Sequence, residues 1–260
     1  HGRLYINDAF GTSHRMHASN YGVIDNFKNY GMGLLIEKEV QYLKEIINKP
    51  KRPLVLLLGG AKVSTKLDLI KRFIHKADKI IIGGGMAFTF LKAMGYNVGK
   101  SLLESSMIEK AKSFMDLARV SGKTILLPVD FICAEGIDSF PIKNGINTRN
   151  IPENLMGLDI GPQSIKIFNE ALDDSSTVIW NGPMGVFEKS SFSNGTKLIA
   201  DNLVRLVDEN INVIAGGGDT ASALKLFNLI EKITHVSTGG GASLELMSGK
   251  SLKALERLEV

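Results

Sequence analysis

The sequence predicts an α/β protein built on a doubly wound, Rossmann-like parallel sheet. Three observations carry that prediction. Six short runs read as buried strands, and most are rich in Val, Ile and Leu without polar alternation, as strands covered on both faces should be. Segments of helical period separate several of them, which argues for strand–helix–strand units. Glycine-rich turns recur where strands give way to helices, and open parallel sheets bind ligands just there, outside the carboxyl ends of their strands.

In order, the chain starts with HGRLYINDAF, where Leu4–Ile6 reads as a strand cut away from its sheet partners, an unpaired edge that invites aggregation. This start resembles the interior of a domain, so residues 1–33 are expected to be the remnant of a second α/β domain in a fragment. Residues 34–48 (LLIEKEVQYLKEIIN) set Leu35, Ile36, Val40, Leu43, Ile46 and Ile47 near one helical stripe, and KPKRP ends the helix. It either connects two domains or opens the sheet domain. Strands follow at Leu54–Leu58, 80–82, 124–128, 177–180, 212–215 and His235–Ser237. Helices are expected over 66–75, Ile108–Val120, 163–172, 196–209 and 221–230, which sets the sheet domain at about 53–237. Between Phe131 and Gly157 the residues are strand-like without a clear period and read as loops with short strands.

Composition excludes several classes. With 260 residues, 44% hydrophobic and 22% charged, the chain can bury one large core or two smaller ones. A net charge of +4 suits small anionic ligands but is too dispersed for nucleic acid. The single cysteine, Cys133, allows no intramolecular disulfide and points to a reducing compartment. No apolar run approaches the roughly eighteen residues of a membrane helix, and no signal peptide is legible.

The chemistry-bearing residues sit where strands end. NVIAGGGDTASA runs from a strand through Gly216, Gly217 and Gly218 to Asp219 and Thr220 at a helix start. Glycines there let a phosphate approach backbone N–H groups, and Asp219 can cap the helix or hold Mg²⁺ among phosphate oxygens. Alone, the segment reads equally well as a tight turn with an N-cap. GGAKVSTK sets Lys62 and Lys66 at a probable helix start, where cations oppose the helix dipole unless an anion sits between them. They are a phosphate-binding pair or two solvated lysines. GGGMAFTF, with apolar Met86 and Phe88, suits a flat aromatic ring. NGPMGVFE makes an irregular loop through Gly182, Pro183 and Gly185 to Glu188, which accepts ribose hydroxyls or is a surface acid. TGGGASLEL is a second phosphate-type loop, with Ser243 near the helix start. His14-x-x-His17, with Arg15 between, fits a small anion-binding cluster better than a zinc site. There is no G-x-x-x-x-G-K-[ST] and no G-x-G-x-x-G with a downstream acid, which argues against a Walker-A NTPase and a dinucleotide dehydrogenase. The reading these loops share is a nucleotide-phosphate site.

NDAFGTSHRMHAS, LGGAKVSTK, GGGMAFTFLKA, GLDIGPQS, WNGPMGVFE, AGGGDTASA and HVSTGGGASLE, in that order over nearly the whole chain, resemble the signature segments of phosphoglycerate kinases. The resemblance implies reversible phosphoryl transfer between 1,3-bisphosphoglycerate and ADP, giving 3-phosphoglycerate and ATP, with Mg²⁺. It implies a two-domain, hinge-bending, monomeric glycolytic enzyme of the cytoplasm. Carried over by position, Arg15, His14 and His17 belong to the patch that binds phosphoglycerate, and 34–48 becomes the interdomain helix. Gly60, Ala61 and Lys62 meet the nucleotide phosphates, and Lys66 neutralises the group in transit. Gly84, Gly85, Leu158 and Pro183 line the adenine pocket, Asn181 lies near the phosphates and Glu188 holds the ribose. Asp219 ligands the metal, with Gly217, Gly218 and Thr220 at the phosphates. Gly239, Gly240 and Gly241 donate to the transferred phosphoryl, Thr238 lies at a hinge, and 238–260 forms the hinge and carboxyl-terminal segment. Lys66, Gly218, Gly240 and Gly241 are the catalytic set so implied.

The departures from the family pattern are an absent amino-terminal half with its transfer-stabilising arginine, Thr65 where an acid is expected, and an end (GKSLKALERLEV) without a proline-containing tail. They predict that the chain binds adenine nucleotide with little or no turnover alone. The alternative is a non-catalytic adenine-nucleotide-binding module, with residues 34–260 folded and 1–33 disordered. A different α/β kinase or dehydrogenase sharing only the sheet is disfavoured by the ordered motifs.

Overall fold

The computed structural model describes residues 2–142 and 148–258. His1, residues 143–147 of the expected loop region and residues 259–260 of the expected carboxyl-terminal segment lie outside the described residues. Strands β1 (Leu4–Asn7) and β2 (Asn29–Met32) pair in parallel, with Leu4 opposite Asn29. The segment expected to be a strand without partners therefore has one. Leu4 and Ile6 nevertheless stay more than half exposed. Helix α1 (Leu34–Val40) follows and widens into a π-helical stretch over Gln41–Ile46, burying Ile36, Leu43 and Ile47.

The large sheet and its helices come next. In chain order its elements are β3 (Leu54–Leu58), α2 (Leu67–Phe73), β4 (Lys79–Ile82), α3 (Met86–Ala93), α4 (Ile108–Val120) and β5 (Thr124–Leu126). After them come β6 (Phe131–Ala134), β7 (Met156–Ile160), α5 (Pro162–Asp173), β8 (Thr177–Asn181), α6 (Asn194–Asp208) and β9 (Asn212–Gly216). The rest are α7 (Gly218–Leu226), β10 (His235–Ser237), α8 (Gly241–Met247) and α9 (Lys253–Glu256). Six strands pair in parallel in the order β10-β9-β8-β3-β4-β5. The chain winds outward from β3 to β5, returns to β8 on the other side, and winds outward again to β10. Its direction reverses between β3 and β8, and ligands bind at such a switch point in doubly wound folds.

Both faces are covered, which explains the uninterrupted apolar strands. Leu54, Leu56 and Leu58 face a core with Ile36, Phe73, Phe90, Phe114 and Met247, from α1–α4 and α8. Val55 and Leu57, one residue out of phase, face Phe168, Leu203 and Leu224 of α5–α7. Each fully buried leucine contributes about 2 kcal/mol.

The stretch expected to be loops and short strands folds into an antiparallel pair, β6 with β7, carrying a register shift between Ile132 and Cys133. Besides the shared core, two sets of polar contacts join distant parts of the chain. Glu39 of α1 and His235 at the start of β10 form a buried pair 2.9 Å apart, with Tyr42 stacked on the imidazole. At the carboxyl-terminal end, the Ala254 N–H donates to the Ser13 carbonyl at 3.0 Å, and Arg257 pairs with Asp25 and lies over the Tyr21 ring. Among the described residues, no helix is long and apolar enough to cross a membrane.

Candidate functional site

Where β3 and β8 diverge, their loops and the loop after β4 bond to one another through backbone. Gly59 N–H donates to the Asn181 carbonyl, Gly60 N–H to Pro183, Gly84 N–H to Met184, and Met86 N–H to Gly60, all between 2.8 and 3.1 Å. The approach leaves no room for side chains: a Cβ on Gly59 runs into the Pro183 carbonyl, and one on Gly182 into that of Gly59. Glycine is required here by close packing. Gly218 and Gly240 differ, since a Cβ on either meets open space.

The three loops wall a cavity of about 570 Å³, within the size range of small-molecule sites. One end is apolar, built from Gly84, Gly85, Phe88, Leu102, Phe131, Met156, Leu158, Ile160 and Val186. The other reaches Gly60, Ala61 and Asp219, with Pro183 between and Glu188 and Lys189 on the rim. Asp159 lies in the floor, 3% exposed, and its carboxylate accepts N–H groups of Ile160 and of Gly195 in the first turn of α6, at 2.9 and 2.7 Å. Burial pushes this carboxyl up to about 7, against the pull of those two bonds.

Beyond the polar end, Lys66 donates from Nζ to Asn181 Oδ1, while Asn181 Nδ2 donates to the Gly216 carbonyl at 2.7 Å. Burial lowers the Lys66 ammonium to about 8, and the nearby Asp219 carboxylate acts in the opposite direction. Asp219 is exposed in the first turn of α7, which follows Gly217 at a φ of 95°. Thr220 is buried. Its hydroxyl accepts the Gly182 N–H at 2.7 Å and donates to the Gly216 carbonyl at 2.8 Å, bracing the loops after β8 and β9. Any phosphate contact by Thr220 therefore falls to its backbone. Lys62 is exposed beside this end.

A second grouping lies around the loop after β10. Gly239 packs on the Phe10 ring, and His14 Nε2 lies 3.3 Å from where a Gly241 side chain would begin. Arg15 donates to the same imidazole nitrogen at 3.2 Å. His14 thus faces the loop carrying Gly240 and Gly241, with Arg15 exposed behind it, whereas His17 is exposed and donates its backbone N–H to Asn20 Oδ1. Among the described residues, no group of three or more His, Cys, Asp or Glu could hold a metal ion.

The sequence did not identify Phe131, Met156, Asp159, Ile160 and Val186 as lining residues. Four of them belong to or flank the β6–β7 pair, whose residues carried no periodic signal. GLDIGPQS marked the neighbourhood of Asp159 without assigning it a role.

The parallel six-stranded sheet, its switch point and a crevice walled by glycine loops at the strand ends define a doubly wound α/β protein. Residues 1–250 match the family model described as phosphoglycerate kinase. The chain is 48% identical over 256 residues to the phosphoglycerate kinase of a Nostoc species, covering 98% of this chain and 64% of that one. It is also 48% identical to a phosphoglycerate kinase described as chloroplastic from Volvox carteri, covering 98% of this chain and 55% of the relative. The solved phosphoglycerate kinase from Coxiella burnetii superposes with a TM-score of 0.90 at 38% identity, covering 98% of this chain and 65% of that one. The chain belongs to the phosphoglycerate kinase family and spans 64% of the length of the Nostoc relative.

Proposed function

We propose that this chain carries the nucleotide half of a phosphoglycerate kinase of glycolysis, which transfers a phosphoryl group reversibly between 1,3-bisphosphoglycerate and ADP. Alone, it binds adenine nucleotide with little or no turnover. The observation that carries the reading is the convergence of Lys66, Asn181 and Asp219 at the polar end of a crevice whose other end is apolar. The base occupies the apolar end against Gly84, Gly85, Leu158 and Pro183, and Glu188 on the rim accepts the ribose hydroxyls. Gly60, Ala61, Lys62, Lys66, Gly217, Gly218 and the Thr220 backbone meet the phosphates. Mg²⁺ fits this donor set, because it takes one or two carboxylates with phosphate oxygens and water and needs no protein cage. Asp219 holds it, and the ion supplies charge neutralisation at the phosphates.

Phosphoryl transfer depends mainly on positioning and charge stabilisation. Lys66, Gly218 and the N–H groups of Gly240 and Gly241 serve those ends, while His14, Arg15 and His17 receive the phosphoglycerate. The molecule works as a hinge-bending cytoplasmic monomer on small molecules, away from nucleic acid and membrane. Residues 1–33 belong to the phosphoglycerate-binding domain, 34–48 form the interdomain helix, 53–237 the nucleotide domain, and 238–260 the hinge and carboxyl-terminal segment. The non-catalytic alternative predicts that residues 1–33 are disordered; the ordered β1–β2 pair favours the kinase reading.

Calorimetric titration of Mg·ADP into the chain and into Asp219→Ala tests the proposal. Magnesium-dependent binding that weakens about tenfold or more in the variant supports it. Failure of the unaltered chain to bind, or identical affinity in the two proteins, overturns it.

A further inference from the structure

The loop that carries Lys62 and Lys66 contains no acid, yet it needs an anchor. Between Gly59 and Leu67 the sequence offers two lysines and no carboxylate. Asp68, just beyond, pairs with Lys250 at 2.6 Å and with Lys71 at 3.9 Å. Among the described residues, the carboxylate hydrogen-bonded to this loop is Glu104, forty positions away in the chain. Its Oε2 accepts the Ser64 N–H at 3.0 Å, the first N–H of the 3₁₀ turn Ser64–Lys66 that leads into α2.

Glu104 is itself held against the crevice. Its backbone N–H donates to the buried Thr89 hydroxyl of α3 at 3.2 Å. Nearby, Ser101 Oγ accepts the Gly157 N–H of β7 at 2.9 Å, and Leu102 lines the apolar end. Residues 101–104 thus form a strap that touches β7, α3 and the lysine loop in turn, linking the two ends of the cavity. Burial works to raise the Glu104 carboxyl, but bonds from Ser64 and Val63 and the attraction of Lys62 outweigh it and hold the group below its ordinary range.

We propose that Glu104 is a positioning residue for the phosphate end of the crevice, fixing the Val63–Lys66 turn so that the Lys62 and Lys66 ammonium groups face the nucleotide's phosphates. The proposal rests on the nucleotide reading above. A merely structural anchor would weaken every ligand of the cavity together. A positioning role acts on the phosphates and spares the nucleoside.

The test is calorimetric titration of Mg·ADP, and separately of adenosine, into the unaltered chain, Glu104→Ala and Glu104→Gln. Loss of one charged hydrogen-bond acceptor corresponds to about a tenfold rise in the Kd for ADP in Glu104→Ala. The Kd for adenosine stays the same. Glu104→Gln keeps an acceptor oxygen without the charge and falls between. Equal weakening of ADP and adenosine, or no change in either, overturns the proposal while leaving the nucleotide reading standing. No ADP binding by the unaltered chain overturns both.

Discussion

The carboxyl of Asp159 makes the stability of the fold fall as pH rises, in a window set by its own burial. In the folded chain this group sits at about 7 instead of 3.8. Between those values the unfolded chain has released the proton and the folded chain still holds it, so each rise in pH favours unfolding. Below about 4 both states are protonated and there is no penalty; above about 7 the penalty is complete. At about 1.4 kcal/mol per pH unit it amounts to about 4 kcal/mol. No discount for solvent applies at 3% exposure. The perturbation is Asp159→Asn, which abolishes the titration. It also leaves one of the two N–H groups, of Ile160 or Gly195, without an oxygen acceptor, at a cost that does not vary with pH. Only the slope therefore reports on the carboxyl. Urea unfolding of both proteins at pH 4, 5, 6, 7 and 8 should show the unaltered chain losing stability relative to the variant, by about 4 kcal/mol across the range. Parallel curves would refute the reasoning, and so would a difference of opposite sign.

Three further substitutions test the scaffold. Replacing His235 with Ala leaves the buried Glu39 carboxyl without its hydrogen-bond partner, and should cost about 1–3 kcal/mol in urea unfolding; no measurable loss would mean that water reaches the site. Gly59→Ala drives a Cβ into the Pro183 carbonyl and should cost about 1–3 kcal/mol and abolish Mg·ADP binding, whereas Gly218→Ala, facing open space, should alter stability by no more than about 0.5 kcal/mol. Equal melting temperatures for these two glycine variants would contradict the distinction between packed and open glycines.

What could be read from the sequence follows from how each part is held. The six parallel strands were legible because helices cover both faces, which removes the need for polar positions: Leu54–Leu58 is apolar at every residue. The sheet's sense and strand–helix alternation followed from those runs, and the family motifs stand in their order along the chain. β6 and β7 were legible only as short strands somewhere between 131 and 157, without bounds or pairing. They are four and five residues long, far apart in sequence, and a register shift breaks their period. Their residues line the apolar end, so much of the cavity wall was missed with them. α9 escaped notice because its four residues depend on docking, through Ala254 to Ser13, more than on any periodic stripe. The glycine loops were visible as a set, but sequence does not distinguish Gly59, which admits no Cβ, from Gly218, which does.

That distinction bears on how the site is built. The walls hold one another through main-chain bonds between Gly59, Gly60 and Gly84 and the 181–184 loop, so their geometry is a property of the sheet and of missing side chains. Few side chains then remain to set the polar end. Thr220 joins the loops after β8 and β9 by accepting from Gly182 and donating to the Gly216 carbonyl. Asn181 donates to that same carbonyl while its oxygen receives Lys66. The Gly216 carbonyl is thus shared by the residue that braces the loops and the one that fixes the lysine. Asn181 thus couples the Lys66 ammonium to the pairing of β8 with β9, while the turn that Glu104 holds sets the backbone from which Lys66 reaches.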